Sequence, residues 1–492
     1  MFPSAWAALI LGVHAVSVAS VPTISAVGSK FFYEDGRQYF LKGIAYQRTP
    51  QDPLIDTAQC QRDVSRMAEL GANAIRVYHV DPAADHDGCM KAFADAGIYL
   101  FVDLDTFDTS IRQDTPYWTR DQFNKYKAVL DEFQQYDNTA GFLIGNEVLS
   151  TAAGSPAAPY VLAATRDMKS YRNEKGYRQI PIGYTAADIA ELRPMLQNYL
   201  ACRPDPAERL DFFGLNAYEW CGAASYETSG YRTLQHQAAD YPIPIFFSET
   251  GCNAAPPRTF DDQAAIFGPD MSATWSGAII YEWIQEANHY GLINYGPYAP
   301  DAPPSDTLVQ DGYTRQGVPT PVAPDFDNLK AQWKTLSPSS VALSDYIQST
   351  AAIKPPACPA STPGGWAVDP SAPLPTLGQT FHPAPPVATA INPDYADSGA
   401  SAGENTGVDA VHSVNGQGNG SDGGLASENN THAKITSAPT LTTTSGPTAS
   451  PASAASHLPS NVGQAVAVPK MDRLEGVVMC LCVASGALAL WL

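Results

Sequence analysis

Short apolar runs alternate with amphipathic stretches along the first two thirds of the chain. The runs Tyr39–Tyr46, Ala74–Val80, Ile98–Leu104, Gly141–Glu147, Ile180–Tyr184, Phe212–Tyr218, Ile243–Glu249 and Ala278–Trp283 read as strands. Between them, Gln59–Leu70, Asp85–Ala96, Arg120–Gln135, Tyr160–Asn173 and Ala187–Tyr199 repeat their apolar residues at helical spacing. Continuous apolar strands separated by helices predict a parallel sheet covered on both faces. Eight such units in roughly 250 residues match a (β/α)8 TIM barrel, an α/β fold.

In that fold the reacting groups stand at the C-terminal ends of the strands. Gln47, Tyr78, Asp103, Glu147, Tyr218, Glu249 and Glu282 all fall at or near those ends. Glu147 closes the run Gly141-Phe142-Leu143-Ile144-Gly145-Asn146, and Glu249 closes Ile243-Pro244-Ile245-Phe246-Phe247-Ser248. A carboxylate buried at such a position costs several kcal/mol unless it has a partner or a task. By strand count the two glutamates face each other across the mouth, from strands four and seven. Cleavage or transfer of a glycosidic bond needs such a pair, one proton donor and one nucleophile.

Neighbouring residues fit the same chemistry. Asn146 is placed to bond a sugar hydroxyl beside the reacting carbon, and Tyr218 to hold Glu249 ionised. Tyr78 and Tyr281 are candidates of the same kind. Trp220 and Trp283 either stack on sugar faces or pack the core. Asp103 and Asp105 either bond sugar hydroxyls or cap a helix. Glu219 and Glu282 are rival carboxylates, but Glu249 alone ends an uninterrupted apolar strand opposite Glu147.

Composition sets the boundaries. Aromatic residues are dense up to Tyr346, after which Trp366, Phe381 and Tyr395 are the last before Trp491. A stretch so poor in large apolar side chains cannot offset its chain entropy. The expected organisation is a catalytic domain over 21–354 and a disordered Ser/Thr/Pro/Gly-rich stalk over 355–465. The stalk carries N-glycosylation sequons at Asn419 and Asn429 and Ser/Thr clusters suited to O-glycosylation. Residues 1–20 read as a signal peptide, and 466–492 as a GPI-attachment signal with Ser460, Asn461 or Gly463 as the attachment residue. The protein is therefore expected at the cell surface, tethered to the plasma membrane or wall, and monomeric.

A formal charge of −21 argues against nucleic acid as a partner. Of the eight cysteines, Cys480 and Cys482 lie in the terminal tail. The remaining six suit three disulfides in an oxidising compartment, with connectivity open on counting alone. They show no metal-ligand spacing, so neither a metal nor another cofactor is expected.

Several ordered motifs carry a resemblance. They are Gly43-Ile44-Ala45-Tyr46-Gln47, Arg76-Val77-Tyr78, Gly145-Asn146-Glu147-Val148, Asn216-Ala217-Tyr218-Glu219-Trp220-Cys221-Gly222, Thr228-Ser229-Gly230-Tyr231, Phe246-Phe247-Ser248-Glu249 with Gly251-Cys252-Asn253, and Trp275 to Glu282. From about Ser29 to Leu336 the chain resembles glycoside hydrolase family 72, the fungal cell-wall β-1,3-glucanosyltransferases. The resemblance implies an enzyme that cuts β-1,3-glucan internally and joins the new reducing end to another glucan chain. It implies Glu147 as acid/base and Glu249 as nucleophile. Gln47, Tyr78, Asp103, Asn146, Tyr218 and Tyr281 would contact the donor sugar or the nucleophile. It also implies the disulfides Cys60–Cys89, Cys202–Cys358 and Cys221–Cys252.

Two departures are visible. Thr250 stands where the family usually has an aromatic residue, and the segment Asp103 to Phe107 differs from the usual Asp-Leu-Ser type. Both are expected near the sugar subsites. The rival readings are a purely hydrolytic endo-β-1,3-glucanase and, resting on Thr250 alone, a non-catalytic glucan-binding wall protein.

Overall fold

A computed structural model describes residues 21–303, 306–349 and 353–381, with the two short strand segments Val483–Ala484 and Ala487–Leu488. The expected signal peptide, both sequons, the stalk beyond residue 381 and, apart from those two segments, the attachment signal lie outside the described residues.

Eight parallel strands close into a barrel. They are β1 (Leu41–Ala45), β2 (Ala74–Val77), β3 (Tyr99–Asp103), β4 (Thr139–Asn146), β5 (Ile182–Ala187), β6 (Phe212–Asn216), β7 (Ile245–Thr250) and β8 (Trp275–Ile280). Each pairs with the next, and β8 returns to β1, so the sheet has no open edge. Outside it run α1 (Thr57–Leu70), α2 (Asp87–Asp95), α3 (Arg120–Phe133), α4 (Ala158–Glu174), α5 (Arg193–Ala201), α6 (Tyr231–Gln237), α7 (Asp262–Ile266) and α8 (Asp325–Thr335). Local chemistry sets several ends. Asp56 accepts the Gln59 N–H at the start of α1, Gly71 closes that helix in the left-handed conformation, and Thr119 with Gln122 forms a capping box on α3.

The floor of the barrel is aromatic. An antiparallel meander of Ile24–Val27, Lys30–Tyr33 and Gln38–Tyr39 precedes the barrel strands. From it Phe31 packs against Phe101, Phe212 and Phe246, with ring centroids 6.0, 5.8 and 6.2 Å away. Glycines make room for these rings. A Cβ on Gly183 would lie 2.3 Å from the Phe212 ring, and one on Gly141 2.8 Å from Phe101. Three disulfides join Cys60 to Cys89, Cys202 to Cys358 and Cys221 to Cys252, the pairs that the resemblance implies.

Three boundaries differ from the sequence reading. The alanine-rich stretch expected to start a helix at Ala187 ends β5 instead, because Thr185, Ala186 and Ala187 pair with β6. Strand β8 starts and stops three residues earlier than its apolar run, since Tyr281 and Trp283 are buried in the loop beyond it. The ordered chain also continues past 354. Residues 353–381 lie against the barrel, with Trp366, Val368 and Leu374 buried and the Ala367 N–H donating to Ser155 Oγ at 2.9 Å.

Candidate active site

The C-terminal ends of β2, β3, β4, β6 and β7 bring one connected set of polar side chains together. At its centre Arg76, on β2, is fully buried. Its Nε and Nη2 donate to the two oxygens of Asp103 at 3.2 and 2.9 Å. Nη1 donates to Glu249 Oε1 at 3.2 Å, and Nη2 also reaches Asn146 Oδ1 and Thr185 Oγ1 at 3.0 Å each. Burial works against the Arg76 charge, but Asp103, Tyr78 and Glu249 outweigh it and hold its pKa above the ordinary value. It is a permanent cation beneath the site.

Glu249 accepts three donors. Besides Arg76, the Tyr78 hydroxyl donates to Oε1 at 3.0 Å and the Tyr218 hydroxyl to Oε2 at 2.8 Å. A register shift between Phe247 and Glu249 lets β7 turn both Ser248 and Glu249 inward. Burial pushes the Glu249 carboxyl up to about 7; Arg76 opposes this, the Glu147 charge adds to it, and the two tyrosine hydroxyls oppose it.

Glu147 lies just past β4 with φ of 48°, a left-handed conformation that costs a side-chain-bearing residue ~1 kcal/mol or more. Its N–H is held by the Thr185 carbonyl at 2.9 Å, and its Oε1 accepts from Asn216 Nδ2 at 2.8 Å. Burial raises its pKa, against the Asn216 bond and Arg76. Asn216 is the register partner of Glu249 on β6, so one asparagine ties the neighbourhoods of both glutamates together.

Asn146 Oδ1 accepts from Arg76, Thr185 and Asn216, at 3.0, 2.7 and 3.0 Å. Three donors on one atom fix the flip of the amide, so its nitrogen faces away from them. Tyr281 joins Tyr218 and Tyr290 in an edge-to-face cluster beside Glu249. The Cys221–Cys252 bridge pins the loops after β6 and β7, each three residues beyond Tyr218 or Glu249.

Other expected residues lie one layer back. Both oxygens of Asp103 are engaged by Arg76. Gln47 Oε1 accepts the Tyr78 and His79 N–H groups at 2.9 and 3.3 Å, and its Nε2 donates to the Thr49 carbonyl at 2.7 Å. Asp105 is buried, and burial followed by Asp103 pushes its carboxyl well up. Glu282 is buried against Asn288, and burial with Glu286 raises its pKa well above the carboxylate range. Glu219 lies 3.9 Å from Arg193. Trp283 donates to Tyr295 Oη at 2.8 Å, a core contact. Thr250 turns out of the barrel, its hydroxyl 3.2 Å from Tyr231 Oη and 3.3 Å from Asp262 Oδ2. That departure therefore lies behind the strand and not at the mouth.

Arg76 and Asn216 open two of the resembling motifs but were given no role from the sequence, and Thr185 was not singled out at all. Beyond the motifs, Arg76 carried a signal of its own, as a lone cation inside the apolar run Ala74–Val80.

The family model described as Glucanosyltransferase, of glycoside hydrolase family 72, matches residues 13–299. The chain belongs to this family. It is 41% identical over 362 residues to 1,3-beta-glucanosyltransferase PGA5 of Candida albicans, covering 69% of this chain and 53% of that protein. It is also 41% identical over 360 residues to 1,3-beta-glucanosyltransferase gas2 of Schizosaccharomyces pombe, covering 70% and 73%. The chain spans 53% of PGA5 and 63% of Protein EPD1 of Candida maltosa, so it matches only part of these relatives' length. Its fold is similar to that of a glutamate-to-glutamine mutant of Saccharomyces cerevisiae Gas2p in complex with laminaritetraose and laminaripentaose. The TM-score is 0.64 at 36% identity, covering 73% of this chain and 75% of that one.

Proposed function

We propose that this protein is a retaining 1,3-β-glucanosyltransferase of fungal wall assembly. The observation that carries the reading is the pair Glu147 and Glu249, linked through Asn216 and Arg76 at one barrel mouth. Membership of the family and the laminari-oligosaccharides held by Gas2p support β-1,3-glucan as donor and acceptor.

Glu249, braced by Tyr78, Tyr218 and Arg76, attacks the anomeric carbon. Glu147 gives its proton to the departing oxygen, leaving a glycosyl ester on Glu249. The amide nitrogen of Asn146 donates to the hydroxyl beside the reacting carbon, and Tyr281 lines the same subsite. Asp103 and Gln47 act by holding Arg76 and the Tyr78 backbone. Glu147 then removes the proton from a sugar 3-hydroxyl, whose oxygen displaces Glu249 and restores both carboxyls. The acceptor outcompetes water because it is bound next to the ester. No step needs a metal or other cofactor.

The same reading puts the protein at the cell surface, delivered by the signal peptide and held by a GPI anchor at the end of its stalk. Incubation with a laminari-oligosaccharide tests the activity. Products longer than the starting sugar are expected, whereas only shorter ones mean an endo-glucanase. Glu249→Gln should abolish turnover while glucan binding survives; an unchanged rate overturns the assignment of the nucleophile.

A further inference from the structure

The second departure from the family pattern leaves an unusual surface feature. Phe107 lies beyond β3 at the tip of a turn, 45% exposed. The turn is tightly held. The Thr109 N–H donates to the Thr106 carbonyl at 3.0 Å, and the Thr106 N–H to Thr109 Oγ1 at 2.8 Å. The Thr109 carbonyl in turn accepts from Gln122 Nε2 and Tyr126 Oη of α3, at 3.0 and 3.1 Å. An exposed apolar ring on so fixed a turn is presented, not merely tolerated.

One face of the Phe107 ring rests on His79, with centroids 3.8 Å apart and planes inclined at 35°. His79 follows Tyr78, which donates to Glu249, and Gln47 Oε1 accepts both of their backbone N–H groups. The ring is thus mechanically continuous with the site: Glu249, Tyr78, His79, Phe107. Burial drives the His79 pKa down to about 4, so the imidazole is neutral at pH values well above that. The stack survives there without a charge to hydrate.

We propose that Phe107, backed by His79, is a stacking platform for a glucosyl ring of the β-1,3-glucan, outside the subsite at the cleaved bond. The axial C–H faces of a β-glucosyl unit are apolar, and a rigid aromatic plane takes such a face at little entropic cost. This inference rests on the glucan reading above and adds a determinant of chain length to it.

The test compares wild type, Phe107→Ala and Phe107→Trp on laminari-oligosaccharides of increasing length. Phe107→Ala is expected to lower kcat/KM on long substrates roughly threefold to tenfold, the worth of one aromatic stack. The loss should lie in KM, leave the shortest substrate unaffected, and be restored in Phe107→Trp. Equal KM at every length overturns the platform. If wild type turns over no glucan, the transfer reading fails, and calorimetric titration with laminarihexaose decides the platform separately. Weaker binding by Phe107→Ala upholds it, whereas an equal Kd, or no binding by wild type, overturns it.

Discussion

Arg76 transfers no proton in the proposed reaction, yet Asp103, Asn146, Thr185 and Glu249 are all oriented by it. A buried guanidinium with that many acceptors fixes geometry more firmly than any single bond between the glutamates could. The charge on Glu147 bears on the proton of Glu249. The Glu147 charge is one of the causes that raise Glu249 toward 7. Removing it takes away a raising influence, so Glu249 gives up its proton at lower pH. Glu147→Gln should therefore move the acidic limb of the pH–rate profile downward, read with a donor whose activated leaving group needs no proton. An acidic limb that stays in place or moves up contradicts the coupling.

The strands act through where they break their own alternation. Register shifts in β4, between Leu143 and Asn146, and in β7 place consecutive residues in the site, Asn146 with Glu147 and Ser248 with Glu249. Alternation alone would have sent one of each pair outward, as it does Thr250. Lower in the barrel, glycines and phenylalanines interlock. Gly183→Ala would set a Cβ against the Phe212 ring, which Phe31 and Phe246 also confine. The expected loss is about 1–3 kcal/mol of stability, seen as a lower urea midpoint. An unchanged midpoint would mean that the aromatic floor yields easily. Helical periodicity located α1 to α4 within a few residues because each carries an apolar face. It misplaced the start of α5, where alanine favours a helix but pairing with β6 prevails.

The molecule as a whole is larger than its aromatic density suggests. Residues 353–381 hold few apolar side chains, but those they have are spent well. Trp366 is buried against Tyr199 with centroids 5.5 Å apart, Arg166 and Arg203 donate to the carbonyls of Pro375 and Ala372, and Cys358 is bridged to Cys202. The bridge removes much of the entropy that a free segment would lose on docking. Trp366→Ala should cost about 3–5 kcal/mol in thermal or urea unfolding. A cost below about 1 kcal/mol would show that the segment merely lies on the surface.

The repeating strand and helix pattern, the strand ends that carry Glu147 and Glu249, and the family motifs were legible in the chain itself. Each is written in a short window of neighbouring residues, where periodicity and local propensity act. The joining of Arg76 to partners on four other strands, the outward turn of Thr250 and the docking of Trp366 were decided only when the barrel closed. Those contacts join residues distant in sequence, and their energies exist only once burial removes water and leaves each polar group to find its partner inside.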